Sequence, residues 1–197
     1  MKTVNTILNS TRYFQSLTIV FLVSLIGFGT TQAQTYKAVA GSSIKVLGTS
    51  NLHDWQMLAQ SFAAEAQLSI KNNQVQDISS LSFSLPVKNL KAKEDLMNSR
   101  AYKAMKEDKF PTISFKLASA ELSQSAVKAT GALTIAGVTK QVALQGKVTE
   151  NADGSVTVSG SRKIKISDFG ITPPSFMLGA LKVGDEVTIE YTLKLKN

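Results

Sequence analysis

The octapeptide GTSNLHDW, residues 48–55, collects the residue types of a hydrolytic or metal site. It contains Ser50, His53 and Asp54, and its histidine and tryptophan are the only ones in the chain. A serine nucleophile needs an imidazole held between its hydroxyl and a carboxylate. Neighbouring side chains such as His53 and Asp54 usually point different ways, so one short segment seldom builds that arrangement. The sequence therefore favours capping of backbone groups at a strand end, with Trp55 packed into the core.

Other catalytic and metal chemistry finds little support in the sequence. No G-x-S-x-G motif occurs, and glycine-rich phosphate loops are missing. With one histidine and no cysteine, a zinc site would need several carboxylates, and no calcium loop of the D-x-D-x-D-G type is present. A haem ligand at His53 stays open but has no further support. We therefore predict no enzymatic activity, no metal site and no required cofactor.

The first 33 residues have the pattern of a secretory signal peptide. A positively charged start precedes an uncharged apolar run, residues 17–29, and small residues lead to a cleavage point near Ala33. The run is short for a membrane span, although a retained anchor is the alternative. We predict a single mature domain over residues 34–197, located in the periplasm or secreted.

Basic residues are in excess but are spread along the chain. The formal net charge is +8, and Lys2 and Arg12 contribute two of these charges, which leaves +6 for residues 34–197. Nucleic-acid binding favours a concentrated basic stripe with interleaved aromatics. Here the lysines mostly alternate with apolar residues, as at Lys163 and Lys165, which is typical of solvated strand faces. We predict no nucleic-acid partner, and at most transient contact with anionic membrane surfaces.

After the predicted cleavage point, apolar and polar residues alternate with period two. This alternation predicts strands with one buried face. About eight strands are expected, the first three near residues 36–48, 55–70 and 74–87. Turn-forming segments at residues 72–73, 151–154 and 183–185 separate successive runs, and short turns indicate antiparallel pairing. A meander of eight such strands closes naturally into a barrel, so the sequence predicts an all-β fold.

Two features interrupt the strand pattern. Near residues 93–106, Met97, Ala101 and Met105 recur at helical spacing, with acidic residues at the start and lysines at the end. We predict a short inserted α-helix whose Met/Ala face packs against the barrel. Gly131 and Gly160 lie within strand runs, where glycine usually marks a bulge, a bend or the close approach of another group.

Apolar residues inside such a barrel either fill it or line a cavity. Strand alternation predicts that four of them face inward: Phe83, Phe115, Leu133 and Ile135. Four more fall outside the regular runs and are expected to cover the helix side or the mouth of the barrel: Met97, Met105, Phe169 and Phe176. Core filling is the alternative role, since methionine often fills gaps.

Four segments occur in an order found in a known family. They are GTSNLHDW (48–55), MKEDKFPTISF (105–115), GALTIAGVTKQVAL (131–144) and SDFGITPP (167–174). On these motifs the chain resembles the YceI-like proteins over roughly residues 36 to 196. The resemblance implies an extended eight-stranded antiparallel barrel similar to lipocalins, exported to the periplasm of Gram-negative bacteria.

The resemblance also implies a function. Members of the family enclose a long apolar tunnel that holds a polyisoprenoid, such as the chain of an isoprenoid quinone, and they have no established catalytic residues. We therefore expect an isoprenoid lipid or quinone as partner, held for transport, storage or stress response by a monomer or homodimer. Trp55 and the eight inward and mouth residues are the expected lipid contacts, and His53 is a candidate head-group contact. The alternative is an interaction or stress-associated module with a packed barrel and no ligand.

Overall fold

The computed structural model describes residues 33–197. The predicted signal peptide lies outside this range, except for Ala33, and stays a prediction. The described residues form one α-helix, α1 (Asp95–Ala104), and 3-10 turns at Val87–Asn89, Ile166–Phe169 and Met177–Gly179. The strands are β1 (Gln34–Ala38), β2 (Ser43–Ser50), β3 (Trp55–Ala59), β4 (Ala63–Lys71), β5 (Gln74–Pro86), β6 (Leu90–Lys91), β7 (Thr112–Ser123), β8 (Ala126–Ile135), β9 (Val138–Glu150), β10 (Val156–Lys165), β11 (Ser175–Phe176) and β12 (Leu181–Lys196).

The strands close into an antiparallel barrel with eight positions around its circumference, each of which we call a line. Three of the lines are broken by a short irregular segment, so that β1 continues into β2, β3 into β4 and β5 into β6. The other five lines are β7, β8, β9, β10 and β12, and the circle closes because β12 pairs with both β1 and β2. The predicted eight-stranded, lipocalin-like, all-β barrel is confirmed.

The two ends of the barrel are built differently. At the packed end lie both ends of the described chain and the hairpin turns that join β4 to β5, β7 to β8 and β9 to β10. Apolar side chains cluster there: Tyr36, Leu68, Val148, Val156 and Leu195 are all buried. At the mouth end lie the turn between β2 and β3, helix α1, and the segments around residues 166–169 and 175–180.

Helix α1 confirms the predicted inserted helix. Met97, Ala101 and Met105 pack against the apolar cluster of the mouth end. The buried Asn98 fixes the helix to the residue that follows β6, because its Oδ1 accepts a hydrogen bond from the Ala92 N–H at 2.7 Å. Tyr102 adds a second link by donating its hydroxyl to the Lys88 carbonyl at 2.9 Å. In residues 33–197 no helix has the length and apolar character needed to cross a membrane.

One predicted turn is wrong. Residues 183–185 do not separate two strands but lie inside β12, where the pairing with β2 shifts register between Val183 and Val187. Glycine in a strand often marks such an irregularity, and Gly184 lies close to the Thr49 side chain. The irregularity places Asp185 where its carboxylate accepts hydrogen bonds from Ser167, at 2.9 Å from N and 2.7 Å from Oγ. A chain reversal and a bulge use the same residue types, so the sequence pattern did not separate them.

The two in-strand glycines mark close approaches, one of the three possibilities that the sequence left open. A side chain at Gly131 would collide with the Phe115 ring and with the Lys116 carbonyl oxygen, 2.6 Å from the position of an added Cβ. At Gly160 the obstacles are the Gln145 carbonyl and the Tyr191 hydroxyl. Both glycines therefore let an inward-pointing aromatic side chain lie against a bare strand.

Candidate ligand-binding site

The GTSNLHDW segment forms the turn between β2 and β3 at the mouth end. The Ser50 hydroxyl donates to the His53 carbonyl at 2.7 Å and accepts the backbone N–H groups of Leu52 and His53. The His53 ring contacts the Asp54 carbonyl through Nδ1 at 2.8 Å. The predicted capping of backbone groups at this strand end is confirmed for Ser50, and all of these contacts involve backbone groups.

This geometry does not form a catalytic triad. Such a triad joins the serine, histidine and carboxylate side chains to one another. Here the side chains of Ser50 and His53 form hydrogen bonds with backbone carbonyl groups of the turn, and not with each other. Within the described part of the chain, no group of three or more histidine, cysteine or acidic residues could hold a metal ion.

Trp55 leaves this turn and points into the barrel. Its Nε1 donates to the Thr49 carbonyl at 3.0 Å, which fixes the plane of the indole. The ring lies over Gly48 on the paired strand, in a space that a larger residue would fill. The apolar part of the indole is therefore free to form part of the interior wall.

The barrel encloses a cavity of about 530 Å³, within the range typical of small-molecule sites. It extends from the mouth, lined by Leu96, Phe176 and Leu181, to the packed end, lined by Leu68 and Leu195. Among its wall residues, few carry polar side chains: Ser50, His53, Glu94, Arg100, Arg162 and Tyr191. The interior is therefore a long, almost wholly apolar channel.

All ten residues predicted as ligand contacts lie in the wall of this cavity: His53, Trp55, Phe83, Met97, Met105, Phe115, Leu133, Ile135, Phe169 and Phe176. Phe83, Phe115 and Leu133 occupy matching positions on three neighbouring strands and form one belt. Phe62 supports this belt, with its ring centroid 5.4 Å from that of Phe83. The placement agrees with the alternation of the strands, and contact with a lipid stays a prediction.

The mouth is formed by three segments, two of which contact the third. The Arg100 guanidinium of α1 lies 3.9 Å from the centre of the Phe176 ring, which joins the helix to β11. Asn51 donates to the Ala180 carbonyl at 2.7 Å and so joins the β2–β3 turn to the same segment. Large apolar side chains around this rim are exposed to solvent: Leu52, Leu96, Met177 and Leu178.

Two polar residues that border the cavity, Tyr191 and Arg162, were not among the predicted ligand contacts. Tyr191 donates its hydroxyl to the Gln145 carbonyl at 2.9 Å, and burial raises the pKa of this hydroxyl. Arg162, on β10 between Gly160 and Ile164, borders the cavity, but its side chain is exposed to solvent. Strand alternation places Arg162 on the same face of β10 as Val158, Gly160 and Ile164, but alternation alone does not separate a residue that borders the cavity from one that fills the core.

Comparisons with known proteins place these observations in a family. A family model described as a YceI-like domain matches residues 24–195. The comparison with curated proteins finds no match.

Among solved structures, BcnA of Burkholderia cenocepacia is similar with a TM-score of 0.68 at 17% identity, over 80% of this chain and 98% of that one. A polyisoprenoid binding domain from Saccharophagus degradans, implicated in plant cell wall breakdown, gives a TM-score of 0.65 at 12% identity, over 83% and 98%. The YCEI protein of Campylobacter jejuni gives 0.53 at 22% identity, over 68% and 82%. The barrel is common to all three, and the family model covers nearly the whole described chain, so this protein belongs to the YceI-like family.

Proposed function

We propose that this protein binds a long isoprenoid lipid, such as an isoprenoid quinone, non-covalently inside the barrel. The observation that carries the proposal is the continuous apolar cavity between the mouth and the packed end. Support also comes from the family and from a structural neighbour described as a polyisoprenoid binding domain. The cavity counts against the alternative of an interaction module with a solidly packed barrel.

The physical basis of binding is burial of the lipid chain. Each methylene-sized group moved from water into an apolar site gains about 0.8 kcal/mol. A slender branched chain suits an eight-stranded barrel, which has room for one small ligand at most. Few polar contacts are needed, and this agrees with the composition of the wall.

We further propose that the mature protein acts outside the cytoplasm, as a monomer or homodimer, in the transport or storage of its lipid or in a stress response. Exposed leucines and a methionine surround the mouth at Leu52, Leu96, Met177 and Leu178. Such a rim would enter the surface layer of a membrane while the lipid moves between bilayer and barrel. In this proposal the protein carries out no chemical reaction and needs no cofactor.

Native mass spectrometry of gently purified protein tests the proposal. We expect a bound species of lipid mass, and uptake of an added isoprenoid quinone after delipidation. Ala129 lines the cavity and its neighbour Lys128 is exposed. Ala129→Trp should therefore lower uptake at least tenfold, whereas Lys128→Trp should leave it unchanged. A wild-type chain that emerges lipid-free and takes up no isoprenoid would overturn the proposal.

A further inference from the structure

The wall of the barrel is only partly paired between β9 and β10. Pairing runs along β10 from Val156 to Gly160, opposite Glu150 to Gly146 on β9, and ends there. The same register would set residues 161–165 of β10 against residues 141–145 of β9, but no strand pair forms along these described residues. We call these two facing segments the seam. At about 3.3 Å per residue, the seam is about 15 Å long.

Each strand of the seam is held by its other neighbour. β9 pairs with β8 from Val138 to Lys147, and β10 pairs with β12 from Val156 to Lys165. Backbone N–H and C=O groups along an unpaired strand edge bond to water instead of to a second strand. The seam can therefore widen without breaking a backbone hydrogen bond between β9 and β10, while both strands keep their places in the sheet.

The cavity reaches the seam from inside. Val142 and Leu144 on β9 and Ile164 on β10 line it. Arg162 lies on the same face of β10 as Ile164, yet its side chain is exposed to solvent, whereas Ile164 is buried. A long side chain that starts on the inner face keeps its charged end in water where the wall is open. The seam is therefore an opening between the cavity and the outside.

Side-chain hydrogen bonds bound the seam at both ends. Toward the packed end, the Tyr191 ring lies across Gly160, and its hydroxyl donates to the Gln145 carbonyl at 2.9 Å, next to the last strand pair. At the mouth end, the 3-10 turn that follows β10 is held through Ser167, which donates to Asp185. Two side chains of β12, Tyr191 and Asp185, therefore set the length of the opening.

The place of the seam distinguishes it from another unpaired stretch of the barrel. β5 pairs with β7 only from Ser82 to Pro86, so the first part of β5 lacks this partner. That part lies at the packed end, where Val75 and Ile78 are buried in the apolar cluster. The seam instead runs from the mouth down one side of the cavity. Segments that open for a ligand are those with few strand bonds and little buried packing, and the seam is such a segment.

We propose that the isoprenoid chain enters and leaves the cavity by parting β9 from β10 along the seam, which extends the mouth down one side of the barrel. This inference rests on the proposed lipid-binding function and adds the route of exchange. The mouth segments are joined to one another through Asn51 and Arg100, so the unpaired wall beside them is the part that gives way to a branched chain.

The test joins the two sides of the seam by a cross-link. The chain has no cysteine, so a bis-maleimide reagent links only introduced pairs. Ala143→Cys with Lys163→Cys places one cysteine on each side of the seam, at exposed positions. Lys147→Cys with Ser159→Cys is the matched control, because these two residues face each other in the paired part. Each double variant before cross-linking is its own reference for folding.

Trp55 reports on the cavity, because it lines the wall and is the only tryptophan. Quenching of its fluorescence follows the transfer of phylloquinone, an isoprenoid quinone, from phosphatidylcholine vesicles. Cross-linking across the seam should slow both uptake and release about tenfold, because the strands can no longer part. The Kd should stay unchanged, since a gate alters both rates by one factor. The control cross-link should change neither rate.

The outcomes separate the inference from the function on which it rests. Uptake as fast after cross-linking across the seam as before it overturns the route but leaves lipid binding intact. Equal slowing by both cross-links also overturns it, because general stiffening of the barrel would then explain the result. Failure of the wild type to bind phylloquinone or any other isoprenoid overturns the proposed function itself.

Discussion

The two ends of the barrel use the same residue type in opposite ways. At the packed end, Leu68 and Leu195 are 0% exposed and hold the strands together. At the mouth, Leu52 and Leu96 are 69% and 61% exposed and touch little of the protein. Burial of a leucine side chain stabilises a fold by about 1.5–3 kcal/mol, and an exposed leucine gives up that gain. The difference indicates that the packed end supplies more of the stability of the fold than the mouth does.

Both ends are nevertheless fastened by a carboxylate that either contacts β12 or belongs to it. At the packed end, Asp153 accepts hydrogen bonds from Ser155 and forms an ion pair with Lys194 at 2.9 Å. At the mouth end, Asp185 accepts two hydrogen bonds from Ser167 and so holds the 3-10 turn that carries Phe169. The ends therefore differ in apolar packing, whereas each has a carboxylate, Asp153 or Asp185, that joins neighbouring segments and that we call a polar clamp.

The largest expected effect comes from truncating a leucine of the packed end. Leu68→Ala removes a fully buried side chain, and we expect a loss of about 2–5 kcal/mol in the free energy of unfolding. Leu96→Ala, at the exposed mouth, should change it by less than about 0.5 kcal/mol. Urea denaturation of both variants measures the difference. Equal losses would show that the two ends do not divide stability as their packing indicates.

Adding a side chain at Gly160, between the two ends of the barrel, should have an intermediate effect on the free energy of unfolding. Gly160→Val would push against the Gln145 carbonyl and the Tyr191 hydroxyl, so we expect a loss of about 1–3 kcal/mol. Ser161→Val, one residue further on and on the outer face, is the matched control and should be nearly neutral. Chemical denaturation of the two variants is the measurement, and a neutral Gly160→Val would mean that the strands can separate there without loss.

Acid should weaken both polar clamps. Hydrogen bonds from Ser155 and Lys194 lower the pKa of Asp153, and hydrogen bonds from Ser167 lower that of Asp185. A carboxylate whose pKa is lower in the folded state stabilises the fold above its unfolded pKa, about 3.9, and this contribution is lost as the pH falls below that value. We expect stability to hold from neutral pH to about pH 5 and then to decline.

Two variants assign this decline to the two ends. Asp153→Asn and Asp185→Asn should each be less stable than wild type at pH 7 and should each lose less on acidification. Thermal melts between pH 7 and pH 3 measure the effect. Hydrogen exchange should show the loss near β10 and its preceding turn for Asp153→Asn, and near residues 166–169 for Asp185→Asn. An unchanged pH profile in both variants would contradict the role of the clamps.

The smallest expected effect on stability lies at the tip of the mouth. Leu178 is fully exposed and has φ 56°, a left-handed conformation that disfavours leucine by about 1–2 kcal/mol. Asparagine tolerates this conformation, so Leu178→Asn should leave stability unchanged or raise it by up to about 1 kcal/mol. If the rim contacts membranes, the same variant should slow lipid uptake from anionic vesicles. If Leu178→Asn takes up lipid from these vesicles as fast as wild type does, the proposed contact of Leu178 with membranes is contradicted.

The fold could be predicted largely from local patterns. Alternation of period two reflects strands with one buried face, and it gave the eight-stranded barrel and the inward positions of Phe83, Phe115 and Leu133. Helical spacing of Met97 and Met105 gave the inserted helix. The wrong turn at residues 183–185 shows the limit, because a bulge in a long strand and a reversal between two strands have the same local composition.

What the sequence determined by itself was therefore the class of fold, the alternation of each strand and the family, all of which depend on neighbours in the chain. The tertiary structure decided which apolar residues pack and which line a cavity, since this depends on how far opposite walls stand apart. It also decided that Ser50 and His53 close a turn, and that the β2–β3 turn, α1 and residues 175–180 meet at the mouth. Such facts depend on distances between strands that are far apart in the chain, and no local pattern contains those distances.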